Sequence, residues 1–196
     1  MSLVRVYSVK GLYSFIEAEV NTMLEFEFRI LDFIREYMSS PIMDKIMCFF
    51  TFLGNAGWIW IALACVCLCS KKYRYTGIML SLGLLMSLIV ANLILKPAFA
   101  RLRPFQIKEG IELIIAAPND FSFPSGHTMA SVICATIIFL QHKKMGIYAI
   151  ALAAIISFSR LYLYMHFPTD VFFGAILGIL SGILAVKIVR RYFRIL

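Results

Sequence analysis

Charge is scarce in this chain: of its 196 residues only 15% are Asp, Glu, Lys or Arg, against about 25% in an ordinary soluble domain. Hydrophobic residues make up 61% and mean hydropathy is +0.86. A globule of this length has no interior able to hide that much apolar surface. A water-soluble enzyme, a disordered tail and a free nucleic-acid binder are thereby excluded, which leaves an integral membrane protein of one domain. Cysteines are few and odd in number: Cys48, Cys65, Cys67, Cys69 and Cys134. All lie in apolar stretches, and their spacing fits no zinc pattern. They read as buried small side chains. No cleavable signal peptide is expected, because Arg5, Lys10, Glu17 and Glu19 break up the first stretch. Period-2 alternation and internal repeats are also missing, so neither a β-barrel nor a repeat array is indicated.

What the chain has instead is long uncharged runs. Residues 46–70, 75–95, 121–142, 145–159 and 171–186 lack Lys, Arg, Asp and Glu. The first three reach the ~20 residues a crossing helix needs. The fourth extends to Tyr164 and the fifth to Val189, where Lys187 can snorkel. Lipid tolerates no unpaired backbone. The expected fold is therefore all-α: a polytopic transmembrane helical bundle of about five spanning helices. Before it, Leu24, Phe28, Leu31 and Ile34 follow helical spacing among Glu25, Arg29, Asp32 and Glu36. Residues 21–38 read as an amphipathic helix lying on the membrane, or as a cap packed on the bundle. The chain is expected to form a single membrane domain over 1–196, with an interfacial segment at 1–41 and the helical bundle at 42–196. Gly54, Asn55 and Gly57 should bend the first span. Trp58 and Trp60 beside that bend mark a headgroup level or line a lipid entry.

Five spans put the connections on two sides. One holds Lys71, Lys72, Arg74, Lys143, Lys144, Lys187, Arg190, Arg191 and Arg194, with no acid; the other holds the remaining ten cations and all 11 acids. Short, purely basic loops mark a cytoplasmic face. The C-terminus is then expected in the cytoplasm and the acidic side outside it.

The unusual polar residues gather on that second side. The second span ends in Lys96 and Pro97, with Arg101, Arg103 and Pro104 just beyond; the third begins Pro124-Ser125-Gly126-His127; the fourth ends at Arg160, followed by His166 and Asp170. Lys96, Arg103 and Arg160 concentrate donors that match phosphate oxygens. Ser125 and Gly126 offer a hydroxyl and free amides at a helix start, where the dipole favours an anion. His127 and His166 could serve as nucleophile and general acid. Asp170, four residues after His166 with Pro168 at a helix start, can reach back to an imidazole nitrogen. Arg101 is an extra cation that could meet a second phosphate, a headgroup or only solvent. Glu109, Glu112 and Asp120 read as solvated or structural. Gly174, Gly178 and Gly182 form a small-residue strip for close helix packing within the bundle.

Lys96 with Arg103-Pro104, then Pro124-Ser125-Gly126-His127, then Arg160 with His166 and Asp170 resemble the three-part motif of the type 2 phosphatidic acid phosphatase family, complete and in order over about 75 residues. The resemblance implies that Lys96, Arg103 and Arg160 bind phosphoryl oxygens with Ser125 and the Gly126 amide. It implies that His166 attacks phosphorus to form a phosphohistidine, that Asp170 orients His166, and that His127 protonates the leaving oxygen. It also implies no cofactor and no metal, and the carboxylates here form no magnesium cluster. The implied function is a lipid phosphatase acting at the extracytoplasmic face on a lipid phosphate or diphosphate. Undecaprenyl diphosphate comes first among substrates, and phosphatidylglycerophosphate or phosphatidic acid second. A lipid phosphotransferase and a non-catalytic membrane protein are the more distant readings. The expected partners are the bilayer and the lipid substrate, with no nucleic acid; a homodimer is not determined.

Overall fold

The structure, a computed structural model, describes residues 9–193. Residues 1–8 of the expected interfacial segment, with Arg5, and Arg194 among the basic-side cations lie outside the described residues. All regular structure among the described residues is helical.

Helix α1 (Val9–Met38) is longer than the expected 21–38 element. Its stripe of Leu24, Phe28, Leu31 and Ile34 packs onto Tyr162, Leu163, Tyr164 and Phe167 rather than onto lipid. A second stripe, Val20, Met23, Phe26, Phe33 and Tyr37, stays exposed. The helix thus caps the bundle with one face and leaves the other exposed.

Ser40 caps α2 (Pro41–Gly54) by accepting from the Met43 amide at 3.1 Å, and Pro41 takes the first helical position, where its missing N–H is harmless. A short 3₁₀ turn at Asn55–Gly57 then breaks the helix. Ala56 and Gly57 adopt φ of 48° and 72° there, a left-handed conformation that glycine accepts readily. Helix α3 (Trp58–Cys69) resumes the path, so the expected bend is present and the first span runs over Pro41–Cys69. Trp60 is buried, its indole N–H donating to Ser131 Oγ at 2.9 Å, whereas Trp58 faces outward.

The second span begins as α4 (Arg74–Ser87) and continues through a π-helical stretch, Leu88–Leu95, into α5 (Lys96–Phe99). Widened turns of this kind occur often near functional sites. After Ala100, with φ of 44°, a short α6 (Pro104–Ile107) leads into the loop 108–125. Helices α7 (Gly126–Gln141), α8 (Lys143–Tyr162) and α9 (Pro168–Phe193) follow.

Among the described residues, four helical segments are long and apolar enough to cross a membrane; α7, the expected third span, has 16 residues. At 1.5 Å per residue it is about 24 Å long, short of the ~30 Å hydrocarbon layer. It sits at the centre, against α4, α8 and α9. Gly174, Gly178 and Gly182 of α9 lie against Ser125, Met129, Val132, Ile133 and Thr136, so the strip serves packing inside the chain. Cys134 is buried in this core, whereas Cys65 and Cys69 are exposed on the outer side of α3, contrary to the expectation of uniform burial.

Candidate active site

Three chain segments far apart in sequence meet at one end of the bundle. Lys96, Arg103, Gly126, His127, Arg160 and His166 line a single cavity of about 860 Å³. Phe52, Ile61, Leu84, Leu85 and Leu88 form its apolar side. Phe52, Leu85 and Leu88 are exposed and belong to the first two apolar spans.

Lys96 arrives at this end because the π stretch carries the second span to it, and its side chain is buried. Arg103 is 2% exposed. Its Nε donates to the Asp120 carbonyl at 2.9 Å and its Nη1 to the Met165 carbonyl at 2.7 Å. Arg160, at the end of α8, donates through Nη1 to Thr51 Oγ1 of α2. Its Nε is buried with no partner among the described residues, an orphaned donor that an entering anion would satisfy.

His166 lines the cavity, and Asp170 stands behind it. Asp170 is fully buried, with Oδ2 3.5 Å from His166 Nδ1, and it accepts from Ser122 Oγ at 2.5 Å and from the Phe167 amide at 2.8 Å. On the other side of the ring, Arg103 Nη1 lies 3.2 Å from His166 Nε2. A guanidinium only donates, so Nε2 must accept and the proton belongs on Nδ1, which faces Ser122 Oγ at 3.4 Å and, just beyond it, Asp170 Oδ2. Burial, and after it the charges of Arg103, Arg160 and Lys96, hold the His166 pKa well below 6.5. The ring is neutral at pH 7, with its bare nitrogen aimed at the cation cluster.

His127 stands at the start of α7. Its Nε2 lies 2.9 Å from Asn55 Oδ1, so the break between α2 and α3 presents the partner of this ring. Gly54 faces the same ring so closely that an added Cβ would lie 2.7 Å from His127 Cδ2. At Gly126 an added Cβ would press on Asn92 Oδ1 at 3.3 Å and would meet the Lys96 ammonium only at an ordinary contact distance of 3.8 Å. Ser125 has a different placement. Its hydroxyl caps α7, accepting from the Thr128 amide at 3.5 Å and the Thr128 hydroxyl at 3.0 Å, and the residue does not line the cavity.

Asp120, read from the sequence as solvated or structural, is half-exposed and at the same time paired with two of the site's cations. Its Oδ1 accepts from Arg103 Nη2 at 2.5 Å and its Oδ2 from Lys96, while half of the side chain stays exposed to the cavity. Burial opposes its charge, but the hydrogen bonds and charges of Lys96 and Arg103 outweigh that and hold the carboxyl down to about 2. Arg101 turns away from the cavity altogether, toward Asp170 and Glu27. Asn55, Thr51, Ser122 and Glu27 carried no motif in the sequence. Only the Gly54-Asn55 helix break hinted at one of them.

The PAP2 superfamily model matches residues 74–194. Phosphatidylglycerophosphatase B of Bacillus subtilis is 32% identical over 157 residues, covering 71% of this chain and 72% of that protein. An undecaprenyl-diphosphatase of Sulfolobus acidocaldarius is 34% identical over 119 residues, or 60% of this chain, and the match spans only 57% of that relative's length. Among solved structures, a transmembrane PAP2-type phosphatidylglycerolphosphate phosphatase from Bacillus subtilis superposes with a TM-score of 0.72 at 25% identity, over 92% of this chain and 94% of that one.

Proposed function

The chain belongs to the PAP2 superfamily and is an integral membrane protein, and from that premise we propose that it is a lipid phosphatase working through a phosphohistidine. The observation that carries this reading is the cavity itself. Three cations and two histidines meet there beside an apolar wall drawn from the first two spans.

Lys96, Arg103 and Arg160 hold the phosphoryl oxygens, with the Gly126 amide at the positive end of α7. The orphaned Arg160 Nε gains an acceptor in the process. Ser125 contributes by fixing the start of α7. The lone pair of His166 Nε2 attacks phosphorus, forming a P–N bond as the P–O bond to the lipid breaks. His127, entering as the imidazolium that the bound phosphate anion favours, gives one proton to the departing oxygen and is left neutral with Nε2–H on Asn55 Oδ1. Asp170 holds the Nδ1 proton and stabilises the imidazolium that develops. In the second half His127 takes a proton from water, the oxygen of which attacks phosphorus and releases phosphate and free His166. No step calls for a metal.

The first substrate we propose is undecaprenyl diphosphate, supported by the similarity to the undecaprenyl-diphosphatase. One observation favours a lipid monophosphate, phosphatidylglycerophosphate or phosphatidic acid, as the second: Arg101 is committed to Asp170 and Glu27, so it is not offered to a second phosphate. The site lies at the end opposite the basic loops, which supports an extracytoplasmic site with the C-terminus in the cytoplasm.

The test is phosphate release by the detergent-purified protein in EDTA, with undecaprenyl diphosphate and phosphatidic acid side by side and His166→Ala as control. Release that disappears in the variant is the expected result, and the rate ratio ranks the lipids. Equal release by His166→Ala would overturn the histidine mechanism.

A further inference from the structure

Behind Asp170, on the side away from the cavity, lies a closed polar network that the reaction as described does not use. Arg101 Nη1 donates to Asp170 Oδ1 at 2.6 Å and to Thr169 Oγ1 at 2.7 Å, and its Nη2 pairs with Glu27. Glu27 Oε1 in turn accepts from the Thr169 amide at 3.1 Å and the Thr169 hydroxyl at 2.5 Å. The guanidinium also stacks over the Phe167 ring, 4.2 Å from its centroid, and Phe167 packs edge-on against Phe28 of α1. Glu27 belongs to α1, 143 positions before Asp170 in the chain. Its side chain is 3% exposed.

A carboxylate buried this deeply on an interfacial helix is costly unless it is paired. The pairing here is directional. A planar guanidinium with two separate donors can hold two carboxylates at a set distance and angle, which an ammonium cannot. Glu27 anchors the fork and the fork fixes Oδ1 of Asp170. Oδ2 is thereby left to face Ser122, the Phe167 amide and His166 Nδ1. We infer that Glu27 and Arg101 are positioning residues for the Asp170–His166 pair, so that the docked N-terminal helix is part of the machinery of the reaction. The inference rests on the proposed histidine mechanism for its kinetic consequence but not for its geometric one.

Two readouts separate these. The first is steady-state kinetics of Glu27→Gln and Arg101→Met with orthophosphate as a product inhibitor. Both variants should lose ten- to a hundredfold in kcat. KM and the phosphate inhibition constant should stay within about twofold, because Lys96, Arg103 and Arg160 are untouched. The double variant should be no slower than Arg101→Met alone, since Glu27 acts through Arg101. Arg101→Lys, which keeps the cation without the fork, serves as the second variant and should show an intermediate loss. The second readout is ¹⁵N NMR of the histidines in micelles. The wild type should show His166 as the Nδ1–H tautomer with a downfield Nδ1–H proton; Arg103 should keep the tautomer in the variants, but that proton signature should be lost as Asp170 moves off the ring, whether or not a substrate is known.

Variants that keep wild-type kcat and the Nδ1–H signature while melting at lower temperature would overturn the inference, because the network would then be structural only. Wild-type protein that releases no phosphate, with variants that lose the signature, would leave the positioning role standing and refute the proposed reaction.

Discussion

Asp120→Asn is the most informative single change. The Asp120 carboxylate occupies the donors of Lys96 and Arg103 that a phosphoryl group needs. With its pKa held down to about 2 it is ionised at neutral pH. An incoming phosphate must therefore displace an anion, and cannot wait for a proton to remove it. Hydrogen bonds to charged groups contribute about 1.5–3 kcal/mol each. Because half of the Asp120 side chain is exposed, the low end of that range applies, about 1.5 kcal/mol, or roughly tenfold in an equilibrium constant. The carboxamide of the variant would keep an acceptor for one cation and lose the charge. The expected result is an orthophosphate inhibition constant about tenfold lower than in the wild type, with KM falling in the same direction. The measurement is competitive inhibition at fixed ionic strength, because exposed charges are screened by salt. An unchanged or higher constant would refute the reasoning. Asp120 would then be organising Lys96 and Arg103 for the substrate instead of competing with it.

Gly54→Ala would place a Cβ 2.7 Å from His127 Cδ2 and 2.8 Å from Ile156 Cγ2. The ring must shift, so kcat should fall at least about tenfold at an unchanged phosphate inhibition constant, read from the same inhibition assay; misplacement of this size is costly in catalysis. His166 is kept neutral, with a pKa well below 6.5. The unfolded chain therefore binds more protons than the folded one once pH falls below 6.5, and stability declines from there downward by up to about 1.4 kcal/mol per pH unit. The melting temperature of the wild type should drop between pH 7 and 5 more steeply than that of His166→Asn; parallel slopes would contradict the assignment. Gly178→Ala brings a Cβ to 2.8 Å from Val132 Cβ and 3.0 Å from the Met129 carbonyl. Overpacking of this kind costs about 1–3 kcal/mol, seen as a lower melting temperature, and a wild-type value would show that α7 and α9 can part freely.

Much of the molecule is legible without coordinates, because hydropathy and helix signals act locally. The uncharged runs mark the spans, with Pro41 and Pro168 at helix starts and Ser125 at a cap. The break at Asn55–Gly57 and the role of the Gly174–Gly182 strip in packing also follow from neighbours in sequence. Motif spacing places Lys96, Arg103, Gly126, His127, Arg160 and His166 at one end of the bundle, since each sits at the end of a helix whose direction the span count sets. What the tertiary structure alone decides is which partner each polar group finds. Leu24, Phe28, Leu31 and Ile34 turn to the protein because the 160–170 segment lies beneath α1. Asp120 meets Lys96 across 24 positions, Arg101 meets Glu27 across 74, and His127 meets Asn55 across 72. No periodicity encodes such pairings. They depend on how the helices cross, and in a buried, poorly screened end each charge is driven to the nearest opposite charge or donor that the crossing supplies.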